Sequence, residues 1–223
     1  MSLGPDRLHT DPIRVRPARR RPRLPKPPVG RVTVELIVAV TGLFATVLLA
    51  PQSSRWFVLA TAIACGVAVG YAIFGAIRLP GAAAWWGFVW GGKDEDDLAR
   101  GFFQTGLLFF ASLVPIALMK CSIRTPAVSH PAAYLLWCFV QDFLFFSIIE
   151  RGLERLTAGK VVGHRHIAVA GTALLFGLSH FPMVGFMLAT GLIAVVWGYI
   201  FQRSRLLWPV TASHFVLGLI VMS

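Results

Sequence analysis

Charge is what this sequence has least of. Only 14% of its 223 residues are Asp, Glu, Lys or Arg, against about 25% in soluble domains. Acidic residues are the scarcest, ten against 21 Lys and Arg. With 56% of the residues apolar, too little polar surface remains to cover a water-soluble fold, so that class is excluded. Cysteine is also scarce: three residues, an odd number with no Cys-x-x-Cys spacing, which argues against a disulfide framework or a structural zinc site. Cys65 and Cys138 fall in apolar runs and read as small hydrophobic residues, and Cys121 falls in a loop. Ser179 has no G-x-S-x-G setting, which argues against a serine hydrolase. No inverted repeat or pair of Gly/Pro-broken helices supports a transporter.

Long apolar runs are abundant. Seven are expected to span a membrane, at about 32–50, 56–78, 101–119, 131–149, 166–184, 185–201 and 205–222. Each is near the ~20 residues a helix needs to cross the hydrocarbon. The fold class expected is therefore an all-α polytopic transmembrane helix bundle. Charge orients it. With the N-terminus inside, 18 of the 21 Lys and Arg lie on the cytoplasmic side and three (Arg55, Lys120 and Arg124) outside. The positive-inside rule then sets an N-in, C-out topology. The absence of any organelle signal points to a bacterial plasma membrane.

Two domains are expected. Residues 1–31 form a basic, Pro- and Arg-rich cytosolic tail, disordered by composition. It reads as a topogenic segment touching anionic lipid rather than a nucleic-acid binder, and it lacks the pattern of a cleaved signal peptide. Residues 32–223 form the helical domain. Several features there have bland readings. Trp85, Trp86 and Trp90 read as an interfacial segment, and the acids of Lys93–Asp97 as a solvated face. Gly66 and Gly70 form a GxxxG pattern suited to close helix packing. Glu150, Arg151, Glu154 and Arg155 read as a solvated helix end with i,i+4 pairs. His164 and His166 read as solvated in a basic loop, and Glu35 as paired to Arg31.

Three ionisable groups stand inside apolar runs: Asp142 (after Gln141), His180 and His214. An ionisable side chain at the bilayer centre costs about 2.5–3.5 kcal/mol on insertion scales, so by default it has a partner and a task. Phe176 lies four residues before His180, and Gly218 lies four after His214, each on the same helical face as its histidine. A carboxylate and two imidazoles suit the activation of a water, with a carboxylate or histidine removing the proton and a second histidine stabilising the oxyanion. The same set suits a divalent metal such as zinc, and two histidines on neighbouring helices suit bis-histidine haem.

The segment Leu174–His180 resembles the FxxxH motif of the CPBP family, the Abi or CAAX-protease-like intramembrane endopeptidases. Trp208–His214 resembles the start of that family's HxxxN motif. The resemblance covers about residues 131–220, taken as the protease-like core. It implies hydrolysis of peptide bonds in or beside the membrane, with a water activated by an acid and a histidine. No cofactor is expected, with a divalent metal such as zinc left open. The substrate implied is a membrane protein or peptide, lipidated or not. His180 and His214 carry over directly. The family's first motif, EExxxR, aligns on Gln141 and Asp142 with Phe146 at the arginine. An alternative alignment on Arg151-Gly152 puts Phe146 and Ser147 at the two glutamates. The first preserves a buried acid. Gly218 stands where the third motif has Asn. The resemblance thus implies Asp142, His180, His214 and Gln141 as catalytic, with Phe176 and Gly218 beside the substrate. The departures leave open a catalytically impaired scaffold or bacteriocin-immunity-like protein of the same fold.

Overall fold

The computed structural model describes residues 26–49, 54–79, 81–88, 103–104 and 131–222. These form helices α1 (Val29–Leu49), α2 (Ser54–Arg78), a one-turn α3 (Ala82–Trp85), α4 (Pro131–Thr157), α5 (His164–Leu178), α6 (Val184–Ser204) and α7 (Trp208–Met222). No strand occurs among the described residues, so the all-α class holds. The expected span at 101–119, the tail before Lys26, Trp90 and the acids of Lys93–Asp97 lie outside the described residues, apart from Phe103 and Gln104.

Among the described residues, α4 and α6 are long and apolar enough to cross a membrane, with 27 and 21 residues. α6 exposes Val184, Leu188, Leu192, Val196 and Tyr199, three or four residues apart. That stripe is continuous along one helical face and suits lipid. α5 and α6 are interrupted differently from expectation. α5 stops at Leu178, so His180 lies in the turn that follows rather than in a span. α6 then starts at Val184 and runs three residues past the expected end.

α5 and α6 pack closely, and glycine makes this possible. A side chain on Gly177 would come within 2.8 Å of the Met187 carbonyl oxygen, and the backbone of Gly191 faces Gly177. Small residues let helix backbones approach in this way. The expected GxxxG contact does not form with any described residue: Gly66 and Gly70 are exposed with nothing within 4 Å of an added Cβ.

The α2–α3 region departs from an interfacial reading. Trp86 is fully buried and Trp85 nearly so. The Trp86 ring lies against Gly75 and meets Tyr71 and Phe143 at centroid distances of 5.3 Å each. Ser147 Oγ donates to the Trp86 carbonyl at 2.7 Å. Arg31 stands over the Trp86 ring and Arg151 over the Trp85 ring, with guanidinium carbons 5.3 and 3.9 Å from the centroids. Two cations on the indole faces and an apolar nest around the rings hold these tryptophans inside the protein. Arg31 pairs with Glu35 at 2.7 Å, as expected, and Glu35 also accepts from the Tyr71 hydroxyl.

α4 carries the acid. Its middle, Phe143–Glu150, is π-helical. This i→i+5 winding is rare and gathers at functional sites. It also changes which residues face inward. Asp142, Phe146 and Glu150, four apart, are all fully buried. The solvated helix end expected at 150–155 is therefore corrected. Glu150 is inside, with Oε2 against Gly198 of α6. Arg151 is also buried, and Glu154 is a hub. Glu154 accepts two hydrogen bonds from Arg205, at 2.7 and 2.8 Å, and one from Arg151 at 2.9 Å. Arg205 reaches it from a left-handed backbone position, φ 55°, at the end of α6. That joint ties the turn between α6 and α7 to α4.

Candidate functional site

α4 and α7 bring an acid and an imidazole together. His214 Nδ1 lies 2.9 Å from Asp142 Oδ1. Asp142 is fully buried and His214 is 8% exposed, so the pair is shielded from screening by solvent. With Asp142 as a carboxylate, Oδ1 accepts and His214 Nδ1–H donates, which leaves Nε2 of His214 with its lone pair. The Trp197 ring of α6 lies 4.9 Å from the His214 ring, centroid to centroid. Trp197 Nε1–H donates to Ser213 Oγ at 3.1 Å, so the indole is locked beside the imidazole.

His180 is held from the α5–α6 turn. Its Nδ1 lies 2.9 Å from the Phe176 carbonyl oxygen and 3.3 Å from Ser179 Oγ and Thr190 Oγ1. The hydroxyl hydrogens of Ser179 and Thr190 already go to the carbonyls of Phe176 and Phe186, each at 2.7 Å. All three partners therefore face Nδ1 as acceptors. Nδ1 carries the proton, and Nε2 of His180 also presents a lone pair.

Phe176 connects the two imidazoles. It is buried, and its ring lies 5.3 Å from the His180 ring and 5.6 Å from the His214 ring. His180 makes its hydrogen bonds to Phe176, Ser179 and Thr190, not to Asp142 or His214. Gln141, one residue from the acid, is half-buried and takes no part in the Asp142–His214 contact. Gly218 faces Tyr134 of α4, whose ring fills the space a side chain there would need.

The two alignments place the positions of the family's glutamates differently, and only the first puts an acid there. Asp142 faces His214, whereas Ser147 faces the Trp86 carbonyl just after α3. Phe146, at the arginine position of the first alignment, is fully buried among Phe176, Trp197 and Phe201. His166, expected to be solvated, is exposed, with Nδ1 2.7 Å from the Tyr199 hydroxyl. Among the described residues no three His, Cys, Asp or Glu side chains gather as a metal-ligand set.

Residues that the sequence did not point to also build the site. Trp197 and Thr190 sit in an apolar run with no local motif, so nothing in their spacing marks them. Tyr134, Cys138 and Asp142 are spaced i, i+4, i+8, a stripe that could have been read from the sequence.

The helices and the buried acid–imidazole contact define an all-helical membrane protein with a shielded polar centre. A family model for the type II CAAX prenyl endopeptidase Rce1-like proteins matches residues 95–220. That is more than half of the chain, and the chain belongs to this membrane-embedded family. The match begins 36 residues before the stretch on which the CPBP resemblance rests. Searches of curated proteins and of solved structures found no match.

Proposed function

We propose that this protein is an intramembrane endopeptidase that hydrolyses a peptide bond with a water activated by His214 and His180. The observation that carries the reading is the buried contact between Asp142 and His214, 2.9 Å long, in a chain of a CAAX endopeptidase family. Its substrate class is a membrane-anchored polypeptide bearing a lipid near the scissile bond, as the family's description suggests. The working setting is the plasma membrane with the N-terminus inside.

Both imidazoles offer Nε2 as an acceptor. A water donating one hydrogen to each would present its own lone pair to the substrate carbonyl carbon. His214 Nε2 takes the proton as the O–C bond forms, and the Asp142 carboxylate balances the imidazolium, the role an acid plays behind a catalytic histidine. His180 holds the second hydrogen and fixes the direction of attack. The tetrahedral intermediate then collapses. The C–N bond breaks, and His214 Nε2–H gives its proton to the leaving nitrogen. The new carboxylic acid then gives the hydrogen that His180 held to the amine, so the products are a carboxylate and a protonated amine, and the enzyme is restored. Because both Nδ1 protons are already engaged, His180 serves as an acceptor here rather than as the oxyanion donor expected from sequence.

The test is cleavage of a lipidated peptide by the purified chain in liposomes. His180→Ala and His214→Ala are each expected to abolish cleavage while melting as wild type does. A folded wild-type protein that leaves lipidated and unlipidated peptides intact would instead support the scaffold reading, which the apolar surroundings of Phe146 favour.

A further inference from the structure

An attacking hydroxide turns the substrate's carbonyl oxygen into an oxyanion. In an apolar, shielded centre this charge needs a hydrogen-bond donor already in place. Neither histidine has a spare N–H at that moment. Each Nδ1–H is directed at Asp142 or at the Phe176 carbonyl, His180 Nε2 accepts the water's second hydrogen, and the proton that His214 Nε2 has taken is committed to the new hydroxyl and then to the leaving nitrogen. The donor must come from another residue.

The α4–α7 contact supplies one. Gly218 is one helical turn beyond His214, on the same face of α7. A side chain added there would overlap the Tyr134 hydroxyl oxygen and the ring carbons next to it. Tyr134 shares a face of α4 with Asp142, with Cys138 between them. The Tyr134 ring is braced by Phe215 at a centroid distance of 6.0 Å. Cys138 stands one turn along α4 from Tyr134, and a thiol is only a weak hydrogen-bond partner for a phenol.

We propose that the Tyr134 hydroxyl donates to the substrate's carbonyl oxygen, and that position 218 is glycine because this hydroxyl occupies its side-chain space. The inference rests on the endopeptidase reading. Tyr134 then completes a division of labour. α7 activates the water, α4 both balances the resulting charge through Asp142 and receives the oxyanion through Tyr134, and the α5–α6 turn aims the water.

The experiment uses the full chain in liposomes and a lipidated peptide that wild type cleaves. Tyr134→Phe is expected to lower kcat on the order of 100-fold, with KM and melting temperature near wild type, the signature of an interaction made in the transition state. Gly218→Asn alone is expected to be inactive because it collides with Tyr134. The double variant Tyr134→Ala/Gly218→Asn puts an amide donor into the vacated space and is expected to regain about tenfold over Tyr134→Ala. A Tyr134→Phe variant with wild-type kcat overturns the proposal. So does a loss of activity that follows a lower melting temperature and is not regained by the double variant. If wild type itself cleaves nothing, the endopeptidase reading falls and this role with it. If wild type and Tyr134→Phe cleave equally, only the role falls.

Discussion

Asp142→Asn separates the two things a buried acid can do. The amide has the shape of the carboxylate, and its oxygen can still accept from His214 Nδ1 at 2.9 Å. Its nitrogen replaces Oδ2, which is buried without a hydrogen-bond partner. Packing is therefore preserved, and only the charge that balances a protonated His214 is lost. Removing one partner of a buried charge pair leaves the other uncompensated, at a cost of about 3–5 kcal/mol. In this site the cost falls on the transition state, where His214 becomes positive. At 1.36 kcal/mol per tenfold change, kcat is expected to fall by about 10²–10⁴. Stability should move the other way or not at all, because a carboxylate within the membrane costs about 2.5–3.5 kcal/mol that an amide avoids in part. The assay is steady-state cleavage in liposomes alongside thermal melting in detergent. Activity within a few fold of wild type would refute the role given to Asp142. So would unfolding, which would make the contact structural.

Three stability predictions follow from the packing. Gly177→Ala forces the α5–α6 backbones apart at Met187 and should cost about 1–3 kcal/mol, read as a lower melting temperature. It should also reduce cleavage, because the same pair of helices holds His180. Trp86→Ala empties the space between Gly75, Tyr71 and Phe143 and should cost about 3–5 kcal/mol, with melting again the readout. Glu154→Gln leaves Arg205 and Arg151 without their carboxylate, at a cost of about 3–5 kcal/mol. Restoring the acid as Glu154→Asp should recover only part of this, since the shorter side chain cannot keep both bonds to Arg205.

The candidate site was legible because polarity is conspicuous in apolar sequence. Asp142, His180 and His214 stand out for that reason alone, and two of them prove to touch. The all-helical class was legible from run length and composition. Helix ends were less so. Leu178, Phe181, Met183 and Val184 keep the mean hydropathy high across Ser179, His180 and Pro182, so hydropathy alone does not reveal that the chain turns at Ser179. Register was lost where the winding changed. Charges at 150, 151, 154 and 155 look like a solvated α-helical end only at 3.6 residues per turn, and the π-helical stretch before them brings Glu150 inside. The tryptophans failed for a different reason. Trp is common at membrane interfaces, and only tertiary contacts with Arg31, Arg151 and Gly75 show Trp85 and Trp86 to be core. Close packing was expected at Gly66 and Gly70, one turn apart in one helix. It occurs at Gly177 and Gly191, which lie on different helices and form no local motif.

The most direct test of the account is mass-spectrometric mapping of products after wild-type protein and His214→Ala, reconstituted side by side, meet the same C-terminal peptide in lipidated and unlipidated form. The account predicts a single new carboxylate terminus, produced by wild type from the lipidated peptide and absent with His214→Ala. Equal cleavage by both proteins, or an intact lipidated peptide with folded wild type, would contradict it.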